Sequence, residues 1–126
     1  MKQRFIILID FSENSGNLLK YAYNWSLQKN AELLLVNQSI VVIPAFAESQ
    51  TKKSATWQTN KEASRKLEEL ANSVLPSLDS VSYSVSENQL QFTLPEHLEE
   101  SFEHLIFVGL KRDRTTQKIL FGSVAI

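Results

Sequence analysis

The sequence predicts an α/β protein, a three-layer α/β/α sandwich with a parallel sheet at its centre, and three observations carry that prediction. The runs Phe5–Ile9, Leu33–Val36 and Leu105–Val108 are apolar without polar alternation, as strands buried on both faces require. Longer stretches between them place apolar residues at helical spacing. The two kinds of segment alternate as β-α-β-α-β-α-β, the order of doubly wound folds.

Phe5–Ile9 ends at Asp10, and Ser12 stands where a helix N-cap would, ahead of Leu18, Leu19, Ala22 and Trp25. The first helix is expected from Glu13 to Lys29. Asn30 supplies its stop, and Leu33–Val36 follows as the second strand of a right-handed β-α-β unit. Pro44 interrupts the apolar stretch Ile40–Ala47, so that stretch reads as a partly buried loop. Ala63, Leu67, Leu70, Ala71 and Val74 mark a second helix from Ser54 to Leu75, ended by Pro76. Lys61, Glu62, Arg65, Lys66, Glu68 and Glu69 form its solvated face. Val81, Tyr83 and Val85 alternate with serines, as suits a half-exposed strand near the sheet edge. Pro95 opens a short third helix running to Phe102, and Leu105–Val108 is the fourth strand. That strand stops at Gly109, while Gly122-Ser123 before Val124 reads as the start of a further helix.

At 126 residues the chain is expected to be one domain, residues 1–126, burying roughly two-thirds of the surface of its unfolded form. Apolar content of 43% with 21% charged residues argues against disorder, and a net charge of −1 gives no bias toward nucleic acid or acidic membranes. The absence of cysteine excludes disulfides and thiolate chemistry and fits a reducing compartment. No run reaches membrane-spanning length, and a cytoplasmic protein is expected.

A helix start after a glycine loop exposes unpaired backbone N–H groups, so phosphate is the ligand favoured at Gly122-Ser123. Lys111, Arg112, Arg114 and Lys118 crowd the same loop and add charge. His97 and His104 lack a second ligand at metal spacing and read as surface or boundary residues. Trp25 reads as core and Trp57 as half exposed. No Walker lysine motif, receiver-type acid cluster or converging nucleophile and base occurs, so a non-catalytic module is expected rather than an enzyme.

Gly109, Arg112, Gly122 and Ser123 fall at the spacing G-x2-G-x9-G-[S/T], and the opening run Ile6–Ser15 is similar to V-P-x-D-x-S-x-x-S. In these features, and over essentially its whole length, the chain resembles the universal stress protein family. The resemblance implies a parallel sheet of order 3-2-1-4-5 with a crevice at the carboxyl ends of strands one and four. It places Asp10 beside the adenine and ribose of ATP or another adenine nucleotide, the backbone near Gln38 against adenine, and Gly109, Gly122, Ser123 and Val124 around the phosphates. Arg112 stands where the family has a second glycine, and a side chain there crowds the phosphates. The implied function is a non-catalytic stress-response regulatory or interaction domain with a degenerate nucleotide site. The alternative is a nucleotide-dependent switch in which Arg112 turns outward. Set against the family, the fifth strand is missing, so the resemblance implies a bare edge covered by a second subunit or a tandem domain.

Overall fold

Burial of apolar strands on both faces requires helices above and below the sheet, and the chain adopts this α/β arrangement. The computed structural model describes residues 2–41, 48–111 and 117–124. Four parallel strands, β1 (Lys2–Leu8), β2 (Glu32–Gln38), β3 (Val81–Ser86) and β4 (Phe102–Lys111), lie in the order β3-β2-β1-β4. β1 pairs on both sides, aligning Leu8 with Val36 of β2 and with Val108 of β4.

On one face Phe5, Ile7, Leu33, Leu35 and Phe107 pack against two helices, α1 (Ser15–Lys29) and α2 (Ser49–Val74), which contribute Leu18, Leu19, Ala22, Leu67 and Ala71. Phe5, Trp25 and Phe107 form an aromatic triangle with centroid separations of 5.1, 5.6 and 5.7 Å. Trp25 thus belongs to the core margin as its helical spacing predicts, and Trp57 is 59% exposed. The opposite face, built on Ile6, Leu34 and Val36, is covered by Leu90 and Leu94 of a four-residue helix α3 (Leu90–Thr93) and the 3-10 turn Leu94–His97. The two outer layers are therefore unequal.

Element boundaries follow local hydrogen bonding. α1 starts at Ser15 because the preceding residues close a turn in which the Ser15 amide donates to the Ser12 carbonyl at 3.0 Å. It ends at Asn30, which takes the left-handed conformation at φ 51° and returns its N–H to the Ser26 carbonyl. α2 starts at Ser49, five residues ahead of Ser54, since its first turns are polar yet contain no glycine or proline to stop them. β3 is half-buried at the sheet edge, as its alternation with serine predicts.

Two expectations are corrected. The third helix lies earlier and is shorter: Pro95 sits in the first turn of the 3-10 segment, and Leu98 is already extended at φ −87°, ψ 126°. Glu96, Glu99 and Glu100 leave that stretch largely polar around Leu98, whereas Phe102 gains strand pairing with Lys2 and stacks beneath the Arg4 guanidinium at 4.0 Å. The second correction concerns Gly122-Ser123, which does not begin a helix. Residues Gln117–Val124 form β5, antiparallel to β4, with Gly109 opposite Ile119 and Leu105 opposite Ser123. A fifth strand is therefore present, and the order is β3-β2-β1-β4-β5 with the last strand reversed. Ile119-Leu120-Phe121 is itself an apolar run of strand character, and pairing it satisfies the N–H and C=O groups along the free edge of β4.

His104 also departs from expectation, being 0% exposed rather than a surface histidine. Its Nε2 accepts the Glu99 amide N–H at 3.3 Å, which requires that nitrogen to stay unprotonated. Burial and the nearby Arg4 guanidinium hold its pKa below the ordinary 6.5, against the opposing pull of Glu99. A depressed histidine contributes stability that is complete above its unfolded pKa and is lost as pH falls through the folded value. Urea denaturation should show stability falling as the pH drops below the ordinary histidine value of 6.5, and a smaller pH slope there in His104→Phe. In the main core, Phe107→Ala should cost about 3–5 kcal/mol in the same assay.

Candidate functional site

In an open sheet, neighbouring strands whose onward connections depart in opposite directions open a crevice at their carboxyl ends. β1 and β4 meet that condition: β1 leads through α1 to β2 on one side of it, and β4 leads away on the other side into β5. A cavity of about 310 Å³ lies there, with Leu8, Val36, Val108 and Leu90 as its apolar walls and Asp10, Ser12, Ser15 and Gln38 among its polar ones. Its size is at the lower end for small-molecule sites.

Asp10, Gln38 and Gly109 all line this cavity, so the structure brings together three of the residues that sequence reasoning singled out. Asp10 follows β1 and its Oδ1 accepts the Ser12 amide at 2.9 Å and the Ser15 hydroxyl at 3.1 Å. Burial raises its pKa, but the Ser12 amide, the Ser12 hydroxyl and the Ser15 hydroxyl outweigh that effect, and the carboxyl is held below the usual aspartate value. Asp10 therefore presents a fixed negative charge and at the same time ties down the loop into α1. Gln38 contributes its side chain: Oε1 accepts the Leu90 amide at 3.2 Å and joins β2 to α3 across the cavity rim.

Gly109 has no positive φ, and a Cβ placed there would meet Leu18 Cδ2 at an ordinary 3.7 Å. The backbone does not require glycine at this position. A small residue instead keeps the cavity wall low.

Gly122, Ser123 and Val124 are elsewhere. In β5 they stand opposite Ile106, Leu105 and His104, so Gly122 is three residues back along β4 from Gly109, about 10 Å at roughly 3.3 Å per residue. Their expected helix terminus, and with it the phosphate cradle at the crevice, is not formed. Arg112 and Arg114 lie outside the described residues. Lys111 and Lys118 are paired within the β4–β5 ladder, next to the hairpin connection.

Sequence reasoning missed Phe11, which follows Asp10 with φ 60°, a conformation rare for a bulky residue and often found where a site constrains the backbone. It also missed Asn37, whose polar side chain is buried at the end of β2 and donates Nδ2–H to the Ile9 carbonyl at 2.7 Å. An asparagine ending a run of leucine and valine was the available signal. Ser84 Oγ and His97 Nε2 approach to 3.1 Å between β3 and the 3-10 turn, a nucleophile–base pair in outline. Neither residue lines the crevice, and among the described hydrogen bonds no carboxylate orients the His97 ring, so the pair ties β3 to the turn. Among the described residues no group of three histidines or acids could hold a metal, and no helix is long and apolar enough to cross a membrane.

Two outcomes test this geometry. Asp10→Ala removes the acceptor of two hydrogen bonds and should lower stability by about 1 kcal/mol in urea denaturation. Gly109→Ala should leave stability within about 0.5 kcal/mol of the parent.

Compared with known proteins, the chain matches no family model and no curated protein sequence.

Proposed function

We propose that the chain is a non-catalytic regulatory or interaction domain of universal stress protein type, whose nucleotide site is degenerate. The observation that carries this reading is the placement of Gly122-Ser123 in the β4–β5 ladder, away from a crevice that still gathers Asp10, Gln38 and Gly109. The base-and-ribose side of a nucleotide site is kept in this reading, and the backbone amides that would neutralise phosphate are lost to strand pairing. Without those amides the ionised Asp10 leaves the crevice with a fixed negative charge that disfavours a polyphosphate. Catalysis is not part of the proposal, since among the described residues that line the crevice no histidine stands beside a nucleophile.

Assembly as a homodimer or tandem pair belongs to the same proposal. β5 covers β4 and becomes a sheet edge in its turn, so its outer ladder groups are the ones a second subunit or domain would pair. The protein is proposed to act in the cytoplasm, with no nucleic acid or membrane partner, in keeping with its near-neutral net charge.

Thermal unfolding with millimolar MgATP tests the ligand part. A ligand at a hundred times its dissociation constant adds roughly 2.7 kcal/mol of stability. The degenerate site predicts no measurable shift, and a clear upward shift would establish the alternative, an adenine-nucleotide switch. Light scattering tests the assembly part: a dimer is expected from an isolated domain, and a monomer at high concentration would contradict it.

A further inference from the structure

The sheet face built on Ile6, Leu34 and Val36 has a thin cover. Among the described residues, Leu90, Leu94 and Leu98 supply it, carried on α3 and the 3-10 turn. Such short helical pieces are not stable by themselves, so the segment keeps its place through what fastens it to the sheet.

That fastening gathers at its carboxyl end. Arg4 of β1 donates from Nη1 to the His97 carbonyl at 3.4 Å and to Glu99 Oε1 at 3.2 Å, and the Glu99 amide donates to His104 Nε2 of β4 at 3.3 Å. The last bond is conditional, because Nε2 accepts only while the ring is neutral. Nδ1 then carries the proton, and it is buried without a hydrogen-bond partner in a side chain 0% exposed.

A second proton would take the acceptor from the Glu99 amide and place a buried charge beside the Arg4 guanidinium. The charged and titratable groups around the ring are few. Arg4 comes from β1 and is engaged by Glu32 of β2, which also pairs with Lys2, while His97 and Glu99 come from the turn. Val124, opposite His104 in β5, is uncharged. Glu99 favours a charged ring, but its carboxylate is already committed to Arg4.

We infer that Leu90–Glu99 is an acid-released strap: protonation of His104 detaches it from the sheet while the remaining fold stays closed, uncovering Ile6, Leu34 and Val36. Leu90 at its start is also a wall of the crevice, so release loosens that site, and the device does not depend on the nucleotide reading. Burial and Arg4 keep the closed ring neutral, so closure is complete above the ordinary histidine value of 6.5 and is lost as pH falls through the folded value.

Amide hydrogen exchange on the whole chain, corrected for the intrinsic pH dependence of exchange, reads the opening at Thr93, Leu98 and Glu99. At every pH these amides should be at least about tenfold less protected than those of Leu19 and Ala22 in α1, since the strap opens without global unfolding. Their protection should fall about threefold or more between about pH 7.5 and pH 5.5. His104→Gln retains an acceptor oxygen that does not titrate and should remove the pH dependence. Where that variant does not fold, His97→Asn decides: histidines are the side chains that titrate in this window, the chain has two of them, and the dependence should persist. Protection equal to that of α1, or protection that does not fall with pH, overturns the inference. So does a fall that survives His104→Gln or vanishes in His97→Asn.

Discussion

The fold depends on β1 being enclosed on all sides. Phe5, Ile6 and Ile7 are each 0% exposed, and the strand is paired along both edges. A strand in this position cannot alternate polar with apolar residues, because either face would then bury an unsatisfied group. The demand spreads outward: Phe5 and Ile7 need the apolar faces of α1 and α2, Ile6 needs the α3 side, and each neighbouring strand inherits part of the same requirement. Helices, layers and strand order are consequences of covering one seven-residue segment.

The site follows from the same constraint. Since β1 is central and its chain leaves toward β2 while β4 leads away on the other side into β5, its carboxyl end is where the backbone diverges, and polar residues can appear there at once. Asp10 does two things at that point. It closes the turn into α1 by accepting from Ser12 and Ser15, and those same bonds keep it ionised at the mouth of the crevice. Deleting the carboxylate therefore disturbs the turn and the charge at the crevice together, and Gly109, which no local geometry requires, reports on the cavity more cleanly.

What was legible in the sequence was whatever burial on two faces imposes. Phe5–Ile9, Leu33–Val36 and Leu105–Val108 carry that requirement in their composition, and the sheet follows. The polar first turns of α2 were not legible, because a solvated helix end leaves no apolar period. Gly122-Ser123 was misread for a different reason. Glycine and serine at a segment boundary suit a helix start, and their spacing from Gly109 resembles a nucleotide-binding motif, but Ile119-Leu120-Phe121 just before them also suits a strand. Which reading wins is decided by the open edge of β4, a tertiary fact that no local window contains. For the crevice, the residues adjoining the strand ends, Asp10, Gln38 and Gly109, are legible, whereas Asn37 and Phe11, which line the neighbouring cavity on the α2 side, are hidden within stretches that read as ordinary strand and turn.

The pairing of β5 also separates two features that the spacing alone joins. The glycine motif treats the loop after β4 and the Gly122-Ser123 pair as one phosphate-binding unit. In a hairpin, the residues nearest the crevice are those flanking the connection, Lys111 and Gln117, and each step away from the turn carries β5 back toward the amino end of β4. The Gly122 and Ser123 amides are carried away from the crevice by that pairing. A crevice built this way keeps its shape from β1, its fixed charge from Asp10 and its small wall from Gly109, while Gly122 and Ser123 stand away from it in the ladder.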